Sequence, residues 1–224
     1  MTYTYSFRPV RPEEGDQIAF IEQVCFSPAT ALSPETMKTR AAELPDMFLA
    51  AIAHPDAPAG MPACPDSQPS TRRDNCPVQQ TDGRRDACTG SKSASVSGVK
   101  AASPDGPHDQ IAGYITMMMT DEEHFRDAFF EDPSLHQPNG ANVMLLGLEV
   151  LPSFRHQGLA AELLNRTIRQ AQKEGRRKLV LTCRDDKIAM YEKFGFQLCG
   201  ISKSTLGGVT WYEMEHRLLK EPSA

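Results

Sequence analysis

"NVMLLGLEVLPSFRHQGLAAELLNRTI", Asn142 to Ile168, decides the fold. Its first nine residues are a near-continuous apolar run, as in a strand covered on both faces. A proline follows, then an arginine, then one glycine. Helical spacing then takes over: Ala160, Leu163, Leu164, Thr167, Ile168 and Ala171 share one face of a helix over 157–173. Strand, short loop and helix in this order form the centre of a mixed α/β domain. The loop also has a chemistry. A helix N-terminus presents unpaired N–H groups and a partial positive charge, and together these hold an anion. A phosphate can approach such a backbone only where side chains are small, which Gly158 and Ala160 supply. Arg155 adds charge. The pattern R-x-x-G-x-A thus predicts a phosphate cradle over 155–160, although an ordinary tight turn uses the same residue types.

Outward from this unit, strand and helix patterns alternate. "YSFRPV" reads as a strand. "PEEGDQIAFIEQVCF" reads as a helix, with Pro12 and two glutamates in its first turn and Ile18, Ile21, Val24 and Cys25 at helical spacing. "SPETMKTRAAEL" is a second helix, capped by Ser33 with Pro34 at the first position. "MFLAAIA" and "QIAGYITMMM" are two neighbouring strands. Downstream, "RKLVLTC" is a buried strand. "DKIAMYEKFG" is a short helix capped by Asp185 or Asp186 and closed by Gly195. "FQLCGISKS" and "VTWYEMEHRL" are the last strands. The expectation is a single α/β domain over 1–220, with about seven strands and four helices.

Residues 54–109 interrupt that domain. They contain eight prolines and no Leu, Ile, Phe, Tyr or Trp. Such a segment buries too little apolar surface to offset its ordering entropy, so it reads as a disordered insertion at a hairpin tip. Cys64, Cys76 and Cys88 recur in it every twelve residues, which reads as coincidence in a low-complexity segment, with a metal or redox role as the alternative. The Arg72-Arg73 and Arg84-Arg85 pairs have aspartates nearby and do not form a basic tail.

Composition narrows the function classes. Net charge is −5, with 40% hydrophobic and 24% charged residues. An acidic chain is a poor match for nucleic acid, whose binding depends on basic residues meeting phosphates. A cationic small molecule suits it better. No apolar run is long enough to span a membrane, and "MTYTYSFRPVRPEEG" lacks an apolar core for a secretory signal. The six cysteines show no C-x-x-C pair, as expected for free thiols in a reducing cytoplasm.

The loop "VLPSFRHQGLAAELL" after an apolar strand resembles the acetyl-CoA signature of the GNAT acetyltransferase superfamily, [QR]-x-x-G-x-[GA]. About thirty residues on, "LTCRDDKIAMYEKFGF" resembles the superfamily's tyrosine helix followed by Gly-Phe. "RHQG", "LTCRDDKIAMYEKFGFQLCG", "GGVTWYEM", "IEQVCFSP" and "SLHQPNG" are similar to the serotonin (arylalkylamine) N-acetyltransferase branch and its bacterial relatives. The resemblance covers nearly all of the chain except 54–109.

That resemblance implies a splayed central strand pair into which the pantetheine arm of acetyl-CoA inserts, meeting the main chain of Leu148 and Val150. It implies that the amides of Gln157, Gly158, Leu159 and Ala160 hold the pyrophosphate, with Arg155 beside it. Tyr191 matches the general acid that protonates the departing sulfur. Phe26 and Trp211 match an aromatic acceptor pocket, though both residue types are equally at home in a core. The acceptor implied is a primary amine of a small molecule, with a polyamine or a protein amine as alternatives, and no metal takes part. A non-catalytic acyl-CoA-binding module stays open beside the enzyme. One departure stands out: Met144 and Leu146 occupy the positions of the branch's two histidines, and neither can accept a proton. Period-2 alternation sends Glu149 to the opposite face from Leu146, and His124 and His136 precede the strand, so no general base is assigned. Cys183 and Cys199 fall in expected buried strands and read as inert thiols.

Overall fold

The computed structural model describes residues 2–56 and 109–218. Most of the expected insertion, including Cys64, Cys76 and Cys88, lies outside the described residues. Seven strands form one sheet in the order β1-β2-β3-β4-β5-β7-β6. They are β1 (Tyr3–Arg8), β2 (Phe48–Pro55), β3 (Gln110–Thr120), β4 (Asn142–Val150), β5 (Lys178–Cys183), β6 (Gln197–Ile201) and β7 (Tyr212–Arg217). Every neighbouring pair is antiparallel except β4 and β5. That parallel pair is the one joined by a crossover helix, as parallel strands require. β2 and β3 pair down to Ala53↔Gln110, so they flank residues 54–109.

The helices are α1 (Gly15–Cys25), α2 (Pro34–Glu43), α3 (Ala128–Glu131), α4 (Leu159–Lys173) and α5 (Asp185–Glu192). Short α3 is one more than the sequence pattern indicates; its Phe129 and Phe130 pack under the sheet. Ser33 caps α2 by accepting the Thr36 N–H at 3.1 Å. At α5 the cap position belongs to Arg184, with no side-chain cap. Asp185 and Asp186 lie inside the first turn, where Asp185 Oδ1 accepts the Asp186 N–H. Gly195 follows α5 with φ +84°.

Two cores lie on opposite faces of the sheet. On one, α1, α2 and α3 cover Phe48, Tyr114, Met118 and Met144. On the other, α4 places Leu159, Leu163, Leu164, Ile168 and Ala171 against Val143, Leu145 and Leu179. Leu163 and Leu164 are fully buried, each contributing about 1.5–3 kcal/mol relative to an exposed side chain. This packing fixes the α4 N-terminus at the end of β4.

β3 and β4 approach closely at Gly113. A Cβ built there would sit 2.3 Å from the Glu149 carbonyl oxygen and 2.9 Å from Val150 Cα. Both are backbone atoms that cannot step aside alone. Gly113→Ala is expected to destabilise the domain by about 1–3 kcal/mol, the usual cost of overpacking. A lowered urea midpoint at unchanged slope checks this.

Candidate active site

β4 keeps its parallel partner only from Asn142↔Lys178 to Leu145↔Leu181, although it runs on to Val150. A bulge sits at the same point. Met117 pairs with Leu145 and Thr116 with Gly147, so Leu146 is an extra residue with no partner on β3. A bulge bends and twists its strand, and β4 leaves β5 where the extra residue enters. The Leu151 N–H donates to the Ala112 oxygen at 2.9 Å, beside the Gly113↔Val150 pair. Antiparallel ladders alternate their bonding direction, so Leu148 and Val150 turn their backbone groups away from β3 and into the gap. The gap opens into a cleft of about 260 Å³ lined by Leu148, Val150, Gly158, Ala160, Met190 and Phe194.

The cradle lies at the end of this cleft. His156 and Gly158 take positive φ, +63° and +80°. An added Cβ at Gly158 would meet nothing within 4 Å. Glycine is therefore required by the backbone turn, and the space before it is open. The first bond of α4 runs from the Glu162 N–H to the Gly158 oxygen. The amides of Gln157, Gly158, Leu159, Ala160 and Ala161 have no acceptor among the described residues. Five donors around one turn are a ready anion site. The Gln157 side chain faces elsewhere, its Oε1 accepting the Tyr5 hydroxyl at 2.5 Å. Arg155 departs from expectation: its Nε donates to the Val150 oxygen at 2.9 Å, and its Nη2 lies 3.9 Å from Cys25 Sγ. The guanidinium is engaged at the strand end.

Tyr191 on α5 packs edge-on to Phe196, ring centroids 5.8 Å apart. Burial, then the nearby Cys183 and Glu149 charges, raises its pKa, so the phenol keeps its proton as a donor. Its hydroxyl has no hydrogen-bond partner among the described residues. Cys183 is buried against Met214 Sδ, and burial pushes its pKa up to about 11. Cys199 is exposed on edge strand β6, which corrects the expectation that it is buried.

Glu149 is the larger correction. Leu146 restarts the alternation, so Glu149 shares a face with Met144 and Leu146 rather than opposing them. It stands across from Tyr114, a residue of the α1–α2 core. An added Cβ at Gly147 would lie 2.2 Å from Glu149 Oε1, so the carboxyl folds beneath that glycine. Glu149 is 2% exposed, and its Oε2 is buried with no partner among the described residues. The Tyr114 hydroxyl donates to Glu22 Oε2 at 2.9 Å, and Glu22 Oε1 accepts the Leu32 N–H at 2.9 Å. Burial first, then the charge of Glu22, holds Glu149 well above the ordinary carboxylate range. Burial also raises Glu22, against the pull of the Leu32 and Tyr114 hydrogen bonds. Arg40, buried nearby, donates to the Phe129 and Phe130 carbonyls. The sequence signal was a lone acid inside an apolar strand.

His156 lines the cleft, whereas His124 and His136 lie elsewhere. His136 Nδ1 accepts the Met119 N–H at 3.3 Å, and burial lowers its pKa, so it stays neutral as a cap on the β3 end. His124 is exposed and bonded to Glu213. Neither lines the cleft. Phe26 ends α1 and is half-buried. Trp211 precedes β7 and donates from Nε1 to the Leu206 oxygen at 2.8 Å. Their loops meet, since an added Cβ at Gly207 would lie 2.6 Å from Thr30 Cγ2. No group of His, Cys, Asp or Glu among the described residues is arranged to hold a metal.

The profile of the acetyltransferase (GNAT) family matches residues 79–196, more than half of the chain, and the chain belongs to that family. It is 33% identical over 107 residues to serotonin N-acetyltransferase of Mesocricetus auratus, a match that covers 47% of this chain and 50% of the relative. The matched region thus spans about half the length of that relative. The loading GNATL domain of CurA from Lyngbya majuscula has a similar structure, with TM-score 0.60, 14% identity, and coverage of 96% of this chain and 98% of that one. A GNAT-like decarboxylase, GphF, in complex with isobutyryl-CoA superposes with TM-score 0.58 at 16% identity, covering 96% and 100%. At such identities the likeness shows the fold alone.

The raised carboxyls have a consequence for stability. A carboxyl with a higher pKa in the folded state binds more protons there, so its contribution is complete below the unfolded value near 4.3. It is lost as pH rises through the folded value. The melting temperature is expected to fall as pH increases above about 4.5, and Glu149→Gln is expected to flatten that fall. Calorimetry across pH 4 to 8, in about half-unit steps, checks both.

Proposed function

We propose that this GNAT-family acetyltransferase moves an acetyl group from acetyl-CoA directly to the primary amine of a small, arylalkylamine-like molecule, within one domain spanning 1–220. One observation carries the reading: the unpaired edge of β4 leads straight into a turn of five unpaired amides. An apolar slot ending in an anion site fits a pantetheine arm ending in a pyrophosphate. In this reading the backbone of Leu148 and Val150 holds the arm, and the amides of Gln157, Gly158, Leu159 and Ala160 hold the pyrophosphate. Arg155 moves from the Val150 oxygen to the phosphates, exchanging a neutral acceptor for a charged one. Bound acetyl-CoA supplies the acetyl group as an activated thioester.

The chain's own groups handle the protons. Glu149, set beside the gap by the bulge, accepts the amine proton at Oε2 and thereby replaces the absent histidines. Its raised pKa makes it a stronger base than an exposed carboxylate once ionised. Glu22 restrains that ionisation by its own charge. Tyr191 holds a proton at Oη for the departing thiolate. Phe26 and Trp211, on loops that meet, form the aromatic wall for the acceptor. The net charge of −5 favours approach of a protonated amine.

Thiol release from acetyl-CoA tests this, with tryptamine, phenylethylamine, spermidine and short peptides as acceptors. Turnover is expected with the arylalkylamines; turnover with spermidine or peptides alone would discard the aromatic acceptor. Tyr191→Phe and Glu149→Gln are each expected to lower kcat by about 10²-fold or more while leaving coenzyme A affinity unchanged by calorimetry. Parallel loss of affinity and rate would remove either residue from the chemical step.

A further inference from the structure

A second constellation lies on the α1 face of the sheet, at its β1 edge. Ser6 on β1, His54 on β2 and Asp109 just before β3 stand in a row across three adjacent strands. The register explains the row. Thr4 pairs with His54, so Ser6 is its diagonal neighbour. Ala53 pairs with Gln110, so the next opposed pair in that hairpin is His54 with Asp109. Side chains two residues apart share a face. Ser6 Oγ lies 2.7 Å from His54 Nε2. His54 Nδ1 lies 2.7 Å from Asp109 Oδ1. Both imidazole nitrogens are thus engaged, one by a hydroxyl and the other by a carboxylate. This is the hydrogen-bonded order in which a serine is activated as a nucleophile, recognised by geometry and roles rather than by sequence position.

The row opens on a cavity of about 350 Å³, bounded also by Arg8, Arg11 and Gln17. Arg8 is occupied by a two-pronged pair with Glu14, at 2.8 and 2.6 Å. Gln17 spends its Oε1 on the Ile111 N–H, which leaves its amide nitrogen as a donor. Arg11 forms no ion pair among the described residues. Gln17 and Arg11 are therefore the groups that can meet negative charge developing on a carbonyl oxygen. β1 and β4 are three strand spacings apart, about 14 Å. The row is thus separate from the cleft between β4 and β5 and shares no residue with it.

We propose that Ser6, His54 and Asp109 form a second reactive site that hydrolyses small, polar acyl esters independently of acetyl-CoA. Ser6 Oγ attacks the ester carbonyl carbon while His54 Nε2 takes the hydroxyl proton. The carbon–oxygen bond to the leaving alcohol breaks, and His54 returns that proton to the alkoxide. Water then attacks the Ser6 ester, with His54 as base, and releases the acid and the free hydroxyl. Asp109 is a positioning residue that holds the imidazole with Nε2 toward Ser6.

Two readings on the full-length protein without coenzyme A test the site. The first is hydrolysis of p-nitrophenyl acetate. The second is labelling by a fluorophosphonate, in which Ser6 Oγ displaces fluoride at phosphorus and the adduct is mapped by mass spectrometry. The expected result is a stoichiometric adduct on Ser6 and hydrolysis reduced at least about tenfold by Ser6→Ala or His54→Gln. Asp109→Asn is expected to lower the rate and Asp109→Glu to restore part of it, a recovery that a merely structural role would not produce. Coenzyme A binding and the activity lost in Tyr191→Phe are expected to stay intact in Ser6→Ala, which keeps failure here separate from failure of the acetyl-transfer reading. An adduct elsewhere, no adduct, or wild-type hydrolysis by Ser6→Ala overturns the proposal.

Discussion

One extra residue in β4 is the constraint on which the rest depends. Leu146 has no partner on β3, and the strand turns away from β5 beside it. The same insertion has two effects because it acts on two properties of a strand. It bends the strand, which carries β4 away from β5 and opens the gap. It also shifts the side-chain alternation, which carries Glu149 under the α1–α2 layer. At the offset set by Leu145↔Leu181, Leu148 and Val150 lie beyond Cys183, where β5 ends, so their edge stays open beside the turn.

The interior accommodates the result at an electrostatic cost. Two carboxyls, Glu22 and Glu149, lie close in an apolar layer, and burial opposes ionisation of both. Hydrogen bonds from Leu32 and Tyr114 satisfy Glu22, while Glu149 Oε2 has no partner among the described residues. A group left in that state favours any process that gives it a proton. That state sets a destabilising term against the apolar burial around it. Arg155 shows a similar tension. Its side chain occupies the Val150 oxygen, so a ligand using that edge competes with a contact already made, and the free energy of that exchange enters the ligand's affinity.

The sheet's two faces separate the chemistries. The α4 face carries the turn of unpaired amides and the apolar cleft. The α1 face carries the buried carboxyls and, at the β1 edge, the serine–histidine–aspartate row.

The chain's strand–loop–helix unit, the glycine turn that opens α4 and the position of Tyr191 on a short helix closed by Gly195 were legible in the sequence because each is local. Glycine at a positive φ, a helix start and a 3.6-residue period are properties of neighbouring residues. The face of Glu149, the reach of Arg155, the exposure of Cys199 and the row from Ser6 to Asp109 were not legible. A period-2 reading of "NVMLLGLEV" assumes an unbroken strand, and the bulge exists only in the pairing of β4 with β3. Cys199 looks buried in an apolar string but lies on β6, whose outer edge has no further strand among the described residues. Ser6, His54 and Asp109 are separated along the chain by tens of residues, and only sheet register sets them side by side. Sequence alone determined most of the segments that become strands and helices and where a glycine turn opens α4, because those depend on contacts within a few residues. Tertiary structure decided which side chains share a face and which backbone groups remain unpaired, because strand pairing is a relation between distant segments.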